Sequence, residues 1–72
     1  MKTYICDYAT ISPAILCDRL LADGAITAFG VWRDLDEDRF ALDVDSIFEG
    51  DELTPLELVR VDAIVKPYLY KG

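Results

Sequence analysis

The sequence predicts an α+β domain with its helices on one face of a small antiparallel or mixed sheet. Three observations lead there: two stretches alternate apolar and polar residues with the period of a strand, two others place helix-start signals ahead of amphipathic runs, and the elements follow in the order β-α-β-β-α. Seventy-two residues make a single domain spanning 1–72. A chain this short buries only about 60% of the surface its unfolded form exposes. Its hydrophobic fraction of 53% exceeds the roughly 45–50% of ordinary domains, so some apolar surface is expected to be left for a partner.

Lys2 to Tyr8 sets Tyr4, Cys6 and Tyr8 on one side and Thr3, Ile5 and Asp7 on the other, a half-buried strand. Ser12-Pro13 then opens a helix, Ser as N-cap and Pro at the first helical position, where its missing N–H costs nothing. Pro13, Leu16, Cys17, Leu20 and Leu21 share one side of it, and Asp18, Arg19 and Asp23 lie largely opposite. Asp23-Gly24 closes the helix, with glycine expected in the left-handed conformation.

Ala25 to Arg33 is apolar on both sides, Ile26, Ala28 and Trp32 against Thr27, Phe29 and Val31, which predicts a strand buried from both faces. Gly30 within it marks a bulge or a close approach. The spacing also permits a helix-turn-helix over residues 13–35, but its second helix would offer nucleic acid only Arg33 beside an acidic run. A polar turn at Leu35–Asp38 leads into Arg39–Asp45, where Phe40, Leu42 and Val44 alternate with Ala41, Asp43 and Asp45. That pattern predicts a hairpin strand with one face in the core and a carboxylate-bearing face in water.

Thr54-Pro55-Leu56-Glu57 is a capping box flanked by Leu53 and Leu58 as a hydrophobic staple, so a second helix begins at Pro55. Val59 to Val65 also alternates like a strand, and the capping signals decide for helix. As a helix it is apolar on two sides, Leu56/Val59/Ala63 and Leu58/Val61/Val65: one for the sheet, one for a partner or a second copy. Pro67 closes it, and Tyr68-Leu69-Tyr70 is expected to fold back on the body.

The charge is localised. Asp34, Asp36, Glu37, Asp38, Asp43, Asp45, Glu49, Asp51 and Glu52 face only Arg39, so residues 34–52 carry −8 and the rest +1 of the total −7. Such a balance opposes direct contact with nucleic acid or an anionic membrane and favours a basic protein surface. No histidine is present and no Gly-rich phosphate loop follows a strand, so no catalytic residue and no cofactor are expected. Asp43 and Asp45 share a strand face about 6.6 Å apart, a glycosidase-like separation for which a chain this small has little material to build a cleft.

Asp34, Asp36, Asp38 and Asp45 fall at positions one, three, five and twelve of a calcium-loop pattern. Arg39 stands where that loop needs glycine, so a turn rich in aspartate is the preferred reading and no metal ligand is assigned. Cys6 and Cys17 fit no zinc spacing and read as reduced interior thiols. Residues 1–8 lack a signal-peptide core and no stretch has the ~20 apolar residues of a membrane span, which predicts a cytoplasmic location.

These features predict a non-enzymatic binding protein, with the nine carboxylates between Asp34 and Glu52 as the contact surface for a larger protein that carries a basic, nucleic-acid-binding site. In size and charge the chain resembles phage-encoded inhibitors of host nucleases and CRISPR complexes that act as DNA mimics, a likeness of composition alone. The alternatives are an assembly protein or homodimer joined through the second helix, and a weak calcium-binding module.

Overall fold

A computed structural model describes residues 1–72 as β1 (Lys2–Asp7), α1 (Pro13–Ala22), β2 (Ala28–Asp34), β3 (Arg39–Ser46) and α2 (Pro55–Val65), followed by a 3-10 turn at Lys66–Tyr68. The sheet order is β1-β3-β2 with both pairings antiparallel. β1 and β2 therefore run in the same direction with β3 between them, so β1-α1-β2 is a split βαβ unit. Beyond the turn the chain doubles back as expected: Leu69 forms a bridge with Cys6, and the Tyr70 N–H donates to the Ile5 carbonyl at 2.9 Å. This short return covers the outer edge of β1.

The ladder sets Tyr4 opposite Leu42 and Cys6 opposite Phe40, and both helices cover that face. Leu16 and Leu20 of α1 and Val61 and Val65 of α2 complete a core of twelve buried residues with Phe40, Leu42 and Val44 at its centre. Residues 55–65 are helical because Thr54 and Glu57 cap them reciprocally: the Glu57 N–H donates to Thr54 Oγ1 and the Thr54 N–H to Glu57 Oε1, both at 3.2 Å. Lateral contacts of α2 with the core outweigh the β preference of its valines.

Three expectations change, and one alternative falls: residues 28–34 form the expected strand, which removes the helix-turn-helix. That strand is not buried from both faces: β3 took the centre, so β2 is an edge strand with Val31 56% and Trp32 43% exposed. Ser12 occupies the N-cap without a side-chain hydrogen bond, and α1 relies on Pro13 at its first position instead. Gly24 is not left-handed; the helix ends one residue earlier, on an extended Asp23 whose N–H donates to the Leu20 carbonyl at 3.3 Å. Gly30 does mark a close approach, since a Cβ there would sit 2.9 Å from Leu42 Cδ1 and 3.1 Å from Leu20 Cδ1.

Candidate functional site

The face of the sheet turned away from the helices carries Thr3, Ile5, Phe29, Val31, Arg33, Ala41, Asp43 and Asp45, with no layer over it. Ala41 is nevertheless fully buried, hidden between its longer cross-strand neighbours Ile5 and Arg33. In the next row Asp43 is held from both sides. Thr3 Oγ1 donates to its Oδ1 at 2.6 Å and Arg33 Nε reaches Oδ2 at 3.4 Å, leaving the side chain 20% exposed. The Thr3 hydroxyl first, and Arg33 after it, hold this carboxyl below the usual range. Asp45, two residues on, is half-buried and accepts the Ser46 N–H at 2.9 Å. The carboxylate-bearing face is therefore partly apolar, and Arg33 and Arg39 interrupt its row of acids.

The nine acidic positions do not form one surface. Asp34, Asp36, Glu37 and Asp38 gather at the β2–β3 turn; Glu49, Asp51 and Glu52 lie in the loop after β3, at the opposite end of the sheet. At the ~3.3 Å rise of a strand, Asp38 and Asp45 are about 23 Å apart. Only Asp43 and Asp45 lie between the two groups. The same extension of β3 carries Asp45 away from Asp34, Asp36 and Asp38, so the calcium-loop spacing does not close into a loop. No group of three or more acidic or cysteine side chains converges on a point where a cation would sit.

The turn is the better organised of the two acidic ends. Asp36 accepts the Asp38 N–H at 2.9 Å and the Arg39 N–H at 3.1 Å on one oxygen, and Arg39 Nε at 2.7 Å on the other. These contacts, the Arg39 side chain foremost, lower the Asp36 pKa and raise that of Arg39. The Arg39 guanidinium also lies 5.4 Å from the centre of the Tyr70 ring, which ties the turn to the returning C-terminal segment. Tyr8 donates its hydroxyl to Asp34, which pushes the phenol up to about 12. Asp34, Glu37 and Asp38 carry no ion pair. Tyr8, Asp34, Asp36 and Glu37 line a wide, shallow hollow there, beside the exposed Leu35.

The second helix presents the apolar side that the sheet does not use. Leu56 is 84% and Val59 68% exposed, and with Ala63 and Ile64 they line a groove of about 340 Å³ closed at one wall by the Arg60–Asp23 ion pair of 2.9 Å. Residue patterns in the sequence do not mark two further exposed apolar pairs. Trp32 and Val31 look interior in a strand that is apolar throughout, and Ile47 and Phe48 sit in a loop with no periodicity. No helix is long and apolar enough to cross a membrane. Compared with protein-family models, with characterised proteins and with solved structures, the chain matches none.

Proposed function

We propose that this chain is a non-enzymatic, cytoplasmic protein-binding module that lays the carboxylates of its β2–β3 turn on a basic surface of a larger protein. The observation that carries the reading is the division of labour in that turn. Asp36 is committed to shaping the loop through Arg39 and two backbone N–H groups, while Asp34, Glu37 and Asp38 remain without cations. A turn already held in shape loses little conformational entropy on docking. Charge complementarity then supplies encounter rate and selectivity, and Leu35 and Trp32 supply apolar contact beside the acids.

A surface that normally holds nucleic-acid phosphates is the fitting complement, so the chain acts as a DNA mimic of the inhibitor type. Because Arg33 and Arg39 break the row on the open sheet face, the mimicry is confined to the turn. It suits a site for a few adjacent phosphates rather than a groove of duplex length. Two free thiols, Cys6 and Cys17, fit a reducing compartment.

Capture from a lysate of the source, with low- and high-salt washes and identification by mass spectrometry, tests this reading. A nucleic-acid-handling protein released by salt and lost with Glu37→Lys/Asp38→Lys supports it. A partner retained by that double variant overturns it. The exposure of Leu56 and Val59 favours a second reading, assembly through α2, which predicts a salt-resistant partner lost with Val59→Asp.

A further inference from the structure

The two edges of the sheet are treated differently. The outer edge of β1 is covered by Leu69 and Tyr70, whereas β2 has no neighbour on its outer side over seven residues. Its inward and outward backbone groups can be assigned. The ladder is bracketed by Ile47 N–H donating to the Thr27 carbonyl at 3.1 Å and Leu35 N–H to the Arg39 carbonyl at 3.3 Å. Hydrogen-bonded pairs alternate in an antiparallel ladder, so Phe29, Val31 and Arg33 turn both backbone groups towards β3. Ala28, Gly30, Trp32 and Asp34 turn theirs outward, where no hydrogen bond meets them. Most of the usual protections of an edge are missing: there is no proline, no lysine and no bulge, the pairing with β3 is unbroken from Ala28 to Asp34, and the charges of Arg33 and Asp34 stand only at its turn end.

We propose that β2 pairs antiparallel with β2 of a second copy of this chain, about a two-fold axis at Val31, joining two three-stranded sheets into one of six. In this register all seven residues are used. Ala28 faces Asp34 and Gly30 faces Trp32 as hydrogen-bonded pairs, giving about eight new backbone hydrogen bonds across the axis.

The side chains match in that register. On the open face, Arg33 of each copy lies opposite the Phe29 ring of the other, and Val31 meets Val31. On the helix-covered face, each Trp32 lies across from a Gly30 that adds no side chain to clash with it, that glycine being already covered by Leu20 and Leu42 of its own copy. Shifting by two residues sets Gly30 against Gly30 or Arg33 against Val31 and shortens the ladder. The interface is isologous, so it closes at a dimer.

Charge sets its salt dependence. The acidic turn of one copy comes towards the Ile47–Glu52 loop of the other, about three strand spacings or ~14 Å away. That exceeds the ~8 Å screening length at physiological ionic strength but not the ~30 Å at low salt. The dimer therefore tightens as salt is added, opposite to a complex made through the acidic turn.

Sedimentation of the full chain over micromolar to submillimolar concentration is the test. The mass should rise from 8.1 kDa towards twice that value, at lower concentration in moderate salt than in low salt. The emission of Trp32, the sole tryptophan, should shift to the blue in step. Val31 is exposed, so Val31→Lys keeps the fold, checked by circular dichroism, and should weaken association at least about tenfold by setting like charges opposite each other. Register is read by oxidation: Val31→Cys should cross-link to itself rapidly and Phe29→Cys should not. A mass of 8.1 kDa at every concentration and salt, an unchanged mass for Val31→Lys, or equal cross-linking of the two cysteine variants would each overturn the proposal.

Discussion

Glu57 joins the start of α2 to the start of β2 through Thr27. One carboxylate oxygen accepts the Thr27 N–H at 2.9 Å and its hydroxyl at 3.0 Å; the other closes the capping box with the Thr54 N–H and hydroxyl at 3.2 and 3.1 Å. A local helix signal is thereby also a tertiary latch between a helix and an edge strand.

That latch makes stability depend on acid. The Thr27 N–H, then the Thr54 N–H and the Thr27 hydroxyl, hold the Glu57 carboxyl down at about 2 against an ordinary value of 4.5. A depressed carboxyl contributes stability that is fully present above the unfolded value and lost as pH falls towards the folded one. The urea midpoint of the wild type should exceed that of Glu57→Gln at neutral pH, and the gap should close between pH 4.5 and 2. Asp23, Asp36 and Asp43 are also held below the usual range, but they titrate in both proteins and cancel in the difference. A gap that stays constant from neutral pH into acid would show that the ionised carboxylate is not what holds the latch.

Gly30→Ala should destabilise the fold. In an open strand alanine is favoured over glycine by about 0.5–1 kcal/mol, but here the new methyl would meet Leu42 Cδ1 at 2.9 Å and Leu20 Cδ1 at 3.1 Å. Both leucines are fully buried, so neither tip has free space to swing into. Overpacking of this kind costs about 1–3 kcal/mol, enough to outweigh the backbone gain. Chemical denaturation should give a lower midpoint with an unchanged slope. A stabilised variant would mean that α1 stands further from β2.

The elements that the sequence makes legible are those whose determinants are neighbours in the chain. Thr54, Pro55 and Glu57 specify the start of α2 within four residues, and Phe40, Leu42 and Val44 declare the core face of β3 by alternation alone. What escapes is set by pairing across the sheet. Nothing within Ala28–Asp34 says that β3, not β2, becomes the centre strand, so an apolar edge reads as an interior one. Asp43 looks like a free surface acid until the register brings Thr3 and Arg33 to it from two other strands. The acidic band is continuous from Asp34 to Glu52 only along the chain. An extended β3 sends its two halves to opposite ends of the sheet.

The two thiols should react at different rates. Cys6 is fully buried, and burial followed by the proximity of Cys17 pushes it up to about 11. At pH 8 only about 0.1% of such a group is thiolate, the reactive form. Cys17 is raised as well, first by burial and then by Asp18, yet it is partly accessible. A disulfide-exchange reagent should therefore modify Cys17 first, Cys17→Ser should remove the faster phase, and Cys6 should react only as the chain unfolds. Equal rates for both in the native protein would indicate that β1 opens readily beneath Leu69.

Phe40 sets the stability limit of this chain. It is fully buried, with the Tyr8 ring 5.0 Å away at 53° and the Trp32 ring 6.4 Å away at 77°, so it ties β3 to both the exit of β1 and the edge strand. Truncating a buried phenylalanine to alanine costs about 3–5 kcal/mol. A chain of this size has roughly 4–11 kcal/mol in total. Phe40→Ala should consequently lose a large share of that total and unfold at a much lower urea concentration than the wild type. Phe40→Leu, losing volume but no polar partner, should stay folded with a lower midpoint. The emission of Trp32 separates the two cases, because its ring contact with position 40 survives in part with leucine and is absent with alanine. A Phe40→Ala protein whose midpoint stays close to that of the wild type would show that the core closes over the gap and that Phe40 does not set the limit.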